Sequence, residues 1–266
     1  MKLKMIAAAV GLILSAASQA AIVPTTTPGG SDVLLNVWEQ GAPGGQKDQS
    51  FTLDLGMTFT QFVNTVANTG GTTNLATLLG SDSTWAGFLA SSDTTDAGVL
   101  QWSVIASGNK VPTTRPAIFG TATVGSDPTT QGAAGFLTNN DINVANTQVS
   151  TTISNLNTVA TPNESVNLAG SGSYYQDFAL ANFNTHGFAN GNNIGDTANV
   201  WTASNTGAGT AAATMSQLAG TMNFSQVGGS YVLSYNVAAV PEAPGMGMAL
   251  AGIAALGFIA LRRRNA

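Results

Sequence analysis

Between residues 21 and 239 the side chains with which this chain could do chemistry are twelve carboxylates, one histidine and no cysteine. Serine-histidine-aspartate catalysis would have to pass through His186, with Asp177 as the acid to orient it. His186 stands in the polar stretch Asn182-Phe183-Asn184-Thr185-His186-Gly187, and no Gly-x-Ser-x-Gly elbow occurs to present a nucleophile. It therefore reads as a solvated loop histidine. Glu39 and Glu164 are the only glutamates of this span, so a two-glutamate glycosidase would need both across one cleft. One is expected at a strand end and the other in a Pro-Asn-Glu-Ser turn, which argues against such a pair. The absence of cysteine excludes disulfides, thiolate metal sites and cysteine nucleophiles together.

Two further constellations fit a chemistry by letter and fail by context. Asn190, Asn192, Asn193 and Asp196, or Asp93 and Asp96, offer oxygen ligands of the kind calcium takes, but neither set follows an EF-hand or a nonapeptide repeat. Surface turns are the expectation for both. Gly207-Ala208-Gly209-Thr210-Ala211-Ala212 matches a relaxed dinucleotide fingerprint, yet no strand-helix-strand unit surrounds it and no acidic residue follows at the required distance. No catalytic residue, metal ligand or cofactor is assigned.

Charge narrows the partners. The span from Ala21 to Ala239 carries Lys47, Lys110 and Arg115 against its twelve acids, a net charge of −9, while the whole chain carries −5. Such a surface repels nucleic acid and anionic headgroups, so no nucleic-acid partner is expected. Its polarity comes instead from Thr, Ser, Asn, Gln and Gly. Apolar residues recur at structured spacing throughout, which argues for a folded core rather than disorder.

The elements that would position these residues are mostly strands. Asp32 to Glu39 alternates Val33, Leu35 and Val37 with Leu34, Asn36 and Trp38, and Ser50 to Met57 alternates through Phe51, Leu53, Leu55 and Met57. With the turn-rich segment from Gln40 to Asp48 between them, these predict an antiparallel hairpin. Between Thr58 and Ser92 short apolar clusters (Phe59, Phe62, Val63, Val66; Leu75, Leu78, Leu79; Trp85, Phe88, Leu89) suit helical turns. Gly98 to Ser107 predicts a strand with Leu100, Trp102, Val104 and Ala106 inward, paired with Arg115 to Val124 after a turn at Pro112. Steps of three and four from Ile142 through Ala145, Val149 and Ile153 to Leu156 predict one amphipathic helix over Asn140 to Thr158, capped by Asn139 or Asn140.

After Pro162 the candidate strands are Tyr174 to Phe183, Asn199 to Ala203, Ala219 to Gln226 and Tyr231 to Ala238, with Gly228-Gly229 as the turn before the last. No fixed internal period appears. The expected fold is mainly β: an antiparallel β-sandwich or jelly-roll-like domain with one amphipathic helix and short helical turns. Trp38, Trp85 and Trp102 sit in apolar-periodic segments and read as core.

The two ends of the chain read as signals. Lys2 and Lys4 precede the apolar run Met5 to Leu14, and Ser18-Gln19-Ala20 supplies small residues for signal-peptidase cleavage after Ala20. Ten apolar residues are too few to span a bilayer, so residues 1–20 are expected to be a cleaved signal peptide. At the other end Val240-Pro241-Glu242-Ala243-Pro244 precedes 17 apolar residues, 245–261, and then Arg262, Arg263 and Arg264. That run spans a membrane marginally, and the arginines hold its end on the cytoplasmic side. The two prolines keep the segment before it extended.

Order and spacing here resemble a PEP-CTERM sorting domain. Val240, Pro241 and Glu242 match its motif, Ala243 departs from it, and the second proline is displaced to Pro244. The resemblance implies recognition and processing of residues 240–266 by an exosortase, an enzyme of exopolysaccharide-producing Gram-negative bacteria. An inner-membrane-anchored intermediate would then reach the cell surface or extracellular matrix. Asp32, Leu53-Asp54-Leu55-Gly56, Trp85 and Leu100-Gln101-Trp102-Ser103-Val104 also stand in an order similar to that of many ectodomains of this family, a likeness over about a third of residues 21–239 that implies no activity.

Three classes of function follow as expectations. The first is a non-catalytic surface or matrix protein associated with exopolysaccharide, with signal peptidase and exosortase as its partners in export. The second is a carbohydrate-binding module stacking a sugar on Trp201, Tyr174 or Tyr175. The third is a hydrolase using His186.

Overall fold

The computed structural model describes residues 22–39, 49–92, 100–110, 115–124, 128–129, 137–158, 163–172, 174–175, 191–207 and 209–238. Residues 1–20 and 240–266, expected to be signal and sorting segments, lie outside these residues, as do His186, Asp177, Asn190 and the Asp93/Asp96 pair. No helix of the described residues is long and apolar enough to cross a membrane.

The alternating segments form the expected antiparallel hairpin. β1 (Asp32–Glu39) and β2 (Gln49–Thr58) pair with Leu35 opposite Leu53 and Val37 opposite Phe51. A register shift between Asp32 and Leu34 places Asp32 opposite Thr58 and Leu34 opposite Asp54. On the other side of β1 lies β4 (Leu100–Lys110), and beyond it β5 (Arg115–Thr123), paired as the sequence predicts. β8 (Thr197–Ser204), β9 (Thr214–Val227) and β10 (Ser230–Val237) extend the sheet. Gly228 and Gly229 both adopt positive φ, +59° and +84°, which makes the two-residue turn between β9 and β10.

Three strands were not expected. β3 (Gly71–Leu78) pairs with β10, β6 (Glu164–Leu168) with β2, and the two-residue β7 (Asn192–Asn193) with β4. Leu75 and Leu78, expected in a helical turn, are thus strand residues. Their three-residue spacing follows from a bulge, where β10 passes from Leu233 opposite Ala76 to Ser234 opposite Asn74. Tyr174 and Tyr175, expected in a strand, are not extended: Tyr174 lies in a bend and Tyr175 has helical backbone, and the rest of that expected strand lies outside the described residues.

The order is β3-β10-β9-β8-β5-β4-β1-β2-β6, antiparallel throughout. In a flat sheet β2 and β10, six strand spacings apart, would lie about 29 Å from each other. Yet Phe51 of β2 and Tyr231 of β10 both touch Trp85, with ring centroids 4.9 and 5.1 Å away. The sheet therefore curls around its inner face, which makes the fold mainly β and sandwich-like.

Helices fill the curl and cover its back. α1 (Phe59–Asn64) and α2 (Ser83–Ser91) lie inside, joined to the sheet through Phe62 on Phe119 and Tyr235, and through Trp85 and Phe88 on Phe51. Trp85 and Trp102, fully buried, are core residues of this layer. α3 (Asn139–Leu156) lies on the outer face over β4, β5 and β8. Its buried stripe is Ile142, Ala145, Val149, Ile153 and Leu156, packed with Leu34, Trp38, Ile105 and Ile118 in a second core. Asn139 and Asn140 do not cap this helix. Thr138 does, accepting from the Asp141 N–H at 3.2 Å while the Asp141 carboxylate takes the Thr138 N–H at 2.8 Å.

Candidate functional site

Two carboxylates meet at the bulge of the first hairpin. Asp32 opens β1 and is 6 % exposed, while Asp54 lies toward the end of β2 and is half-buried. Because the strands run antiparallel, the start of one faces the end of the other, and the register shift brings the two side chains into hydrogen-bonding contact. Asp32 Oδ2 also accepts the Val23 N–H at 2.6 Å, which ties the chain before β1 to the sheet. Asp54 Oδ1 accepts the Gly56 N–H at 2.8 Å, and Gly56 has φ +66°.

Burial raises both carboxyls above their usual range, and for Asp54 the neighbouring Asp32 charge adds to it. Asp54 is pushed up to about 7. A carboxyl-carboxylate bond needs one proton, so the two acids share it. Carboxyls bonded to each other leave no room for the glycosidic bond that a glycosidase seats between acids about 5–9.5 Å apart. What this pair can do is couple a proton to the closing of the hairpin on the segment before it.

A second acid pair joins α2 to β6. Asp82 caps α2, its Oδ1 accepting the N–H groups of Thr84 and Trp85 at 3.0 Å each. Glu164 hydrogen-bonds Thr84 and Asp82, and its carboxyl is raised first by burial and then by the Asp82 charge. Glu164 is therefore engaged in structure. It stands opposite Leu53, which stands opposite Leu35, so it lies two strands and four residues from Glu39, about 16 Å between backbones. Glu39 itself is fully buried. The two glutamates do not form a catalytic pair.

The aromatic candidates for sugar stacking separate. Tyr174 and Tyr175 are 3 % and 1 % exposed, so neither presents a ring to solvent. Tyr175 stacks at 4.4 Å on Trp38, its N–H donates to Ser50 Oγ, and its hydroxyl pairs with Ser103. Burial raises that phenol, the Ser103 bond opposing it. Trp201 on β8 is half-buried, packed against the second core on the outer face of the sheet.

The asparagine-rich set is not simply a surface turn: Asn192 and Asn193 form β7, Asn192 is buried, Asn190 lies outside the described residues, and the turn follows at Ile194 and Gly195. Asn192 donates to the Trp102 carbonyl at 3.4 Å, and Asp196 Oδ2 accepts the Asn193 N–H at 3.2 Å. The Gly195 and Asp196 carbonyls accept from Asn223 Nδ2 at 2.9 and 3.0 Å, so donors of the chain itself occupy these oxygens. Among the described residues no three His, Cys, Asp or Glu side chains group as metal ligands. Gly209 and Ala211, from the glycine-rich match, place their carbonyls on the N–H groups of Asn140 and Asn139. Those donors, with the Asp141 N–H on Thr138, are the ones a phosphate at the α3 N-terminus would need.

Reading from the sequence missed the Asp32–Asp54 pair, although it predicted both strands. The alternation fixes which faces carry side chains, and the bulge that joins the two acids leaves no mark in it. A comparison with family models, with curated proteins and with solved structures found no match.

Proposed function

We propose that this is a non-catalytic exported protein of the cell surface or extracellular matrix, delivered through the general secretory route and processed near Glu242 by an exosortase-type enzyme. The observation that carries this reading is the tail: Val240-Pro241-Glu242, Pro244, the apolar run and Arg262-Arg263-Arg264, opposite an N-terminal signal ending at Ala20. The sandwich-like sheet fits this reading as a β-rich body held by its two apolar cores rather than by disulfides. So does the acid chemistry of the described residues, where Asp32, Asp54, Asp82 and Glu164 are bonded to one another and to backbone N–H groups. The jelly-roll variant of the sandwich belongs to this same reading.

Intact mass of the native protein, recovered separately from cell envelope and culture medium, tests the proposal. The expected mass is that of a chain beginning near Ala21 and ending near Glu242, with any excess reporting decoration. A tail intact in every fraction would overturn it and leave a membrane-anchored ectodomain.

The carbohydrate-binding reading survives at one of its three residues. Trp201 is half-buried, whereas Tyr174 and Tyr175 are sealed in the core, so any sugar contact belongs to the outer face of β8 and its neighbours.

A further inference from the structure

On the outer face of the sheet, beyond the reach of α3, the register brings eight side chains of one kind into two rows across four adjacent strands. Asn199 of β8 stands opposite Thr221 of β9, Thr221 opposite Asn236 of β10, and Asn236 opposite Thr72 of β3. One step along the strands, Thr197, Asn223, Ser234 and Asn74 form the second row in the same order. The alternate positions, Ala198, Val200, Met222, Phe224, Leu233 and Tyr235, are buried in the inner core, so the rows face outward. Every member is half-buried or exposed, and every one is an amide or a hydroxyl. With strands about 4.8 Å apart and alternate residues about 6.8 Å apart, the array covers roughly 14 by 7 Å between Cα positions.

We propose that these two rows are a binding face for a neutral, hydroxyl-rich polysaccharide. Protein-protein interfaces centre on apolar and aromatic anchors, which the rows do not have. Nucleic acid and anionic lipid need cations, and the rows contain none. An acidic polymer would meet the carboxylates of a body carrying −9. Uncharged amides and hydroxyls donate and accept in both directions, as sugar hydroxyls do, and the two rows themselves carry no charge to desolvate.

Part of the array is held in place before any ligand arrives. Thr72 Oγ1 donates to Asn236 Oδ1 at 2.6 Å, and Asn223 is fixed by the Gly195 and Asp196 carbonyls. Fixed side chains lose less entropy on binding. Trp201, two residues along β8 from Asn199 on the same face, borders the first row as a half-buried aromatic whose indole nitrogen is enclosed, so a sugar that stacks there meets the remaining ring surface.

The proposal rests on the surface-protein reading for the source of the polymer, not for the binding itself. Purified full-length protein should co-sediment with insoluble cellulose or curdlan, both uncharged, and not with calcium-alginate beads, which are acidic. In the double variant N199A/N236A the retained fraction should fall at least five-fold, while N64A, at an exposed position ending α1 and away from the two rows, should bind like the parent. Far-UV circular dichroism and an unchanged melting temperature establish that the variants are folded. Retention by alginate alone, retention by none of the three, or undiminished retention of N199A/N236A would overturn the proposal. So would a dimer of the unliganded protein in sedimentation that N199A/N236A abolishes, because the face would then belong to a second copy. None of these outcomes alters the intact-mass result, so failure here is distinct from failure of the export reading.

Discussion

A carboxyl that must keep its proton to stay in place makes stability depend on pH in a predictable direction. Asp54, at about 7, binds a proton in the folded chain that it has released in the unfolded chain over most of the range from about pH 4 upward. The folded state binds more protons across that window, so its stability is complete below about pH 4 and falls as pH rises toward 7. Glu164, raised in the same sense, adds a slope of the same sign. The melting temperature should therefore be higher at pH 5 than at pH 8. In D54N an amide donates to Asp32 without needing a proton, so this variant should gain about 1–2 kcal/mol at pH 8 and lose much of the pH slope. Parallel melting profiles for parent and D54N across that range would mean that the two acids share no proton.

Among the elements, α3 shows how far a local pattern reaches. Its three-and-four spacing fixed its buried stripe, and its extent to within two residues at the end, because the period of a helix is written into which residues can share a face. Its cap was misplaced by one or two residues. Both asparagines at its start could cap in isolation, but Asn139 is turned inward, where its oxygens serve Asn205 and Thr206. Thr138 takes the role with Asp141 instead. Replacing Thr138 by Ala should cost about 1 kcal/mol in urea unfolding, with little change in the dependence on urea. An effect on that scale from N140A would return the cap to the predicted position. β3 shows the opposite limit, since its bulge gave two apolar residues a helical spacing inside a strand.

For the whole molecule the decisive contact is Trp85, which meets Phe51, Phe88, Phe224 and Tyr231 inside the curl. It joins strands from both halves of the sheet, so W85A should cost about 3–5 kcal/mol, more than truncating a residue that touches one half. Equilibrium unfolding followed by fluorescence and by circular dichroism measures this, and a loss below about 1 kcal/mol would mean that the halves hold together without it. The sequence placed Trp85 in the core but could not say what it touched. By itself the sequence determined the strands with clean alternation, the helix and the acidic low-charge body, because each depends on residues near one another along the chain. Tertiary structure alone decided the strand order, the curl, the two acid pairs and the two uncharged rows. Those depend on register between segments as far apart as Thr72 and Asn236, and a shift of one residue in any strand would turn the rows inward.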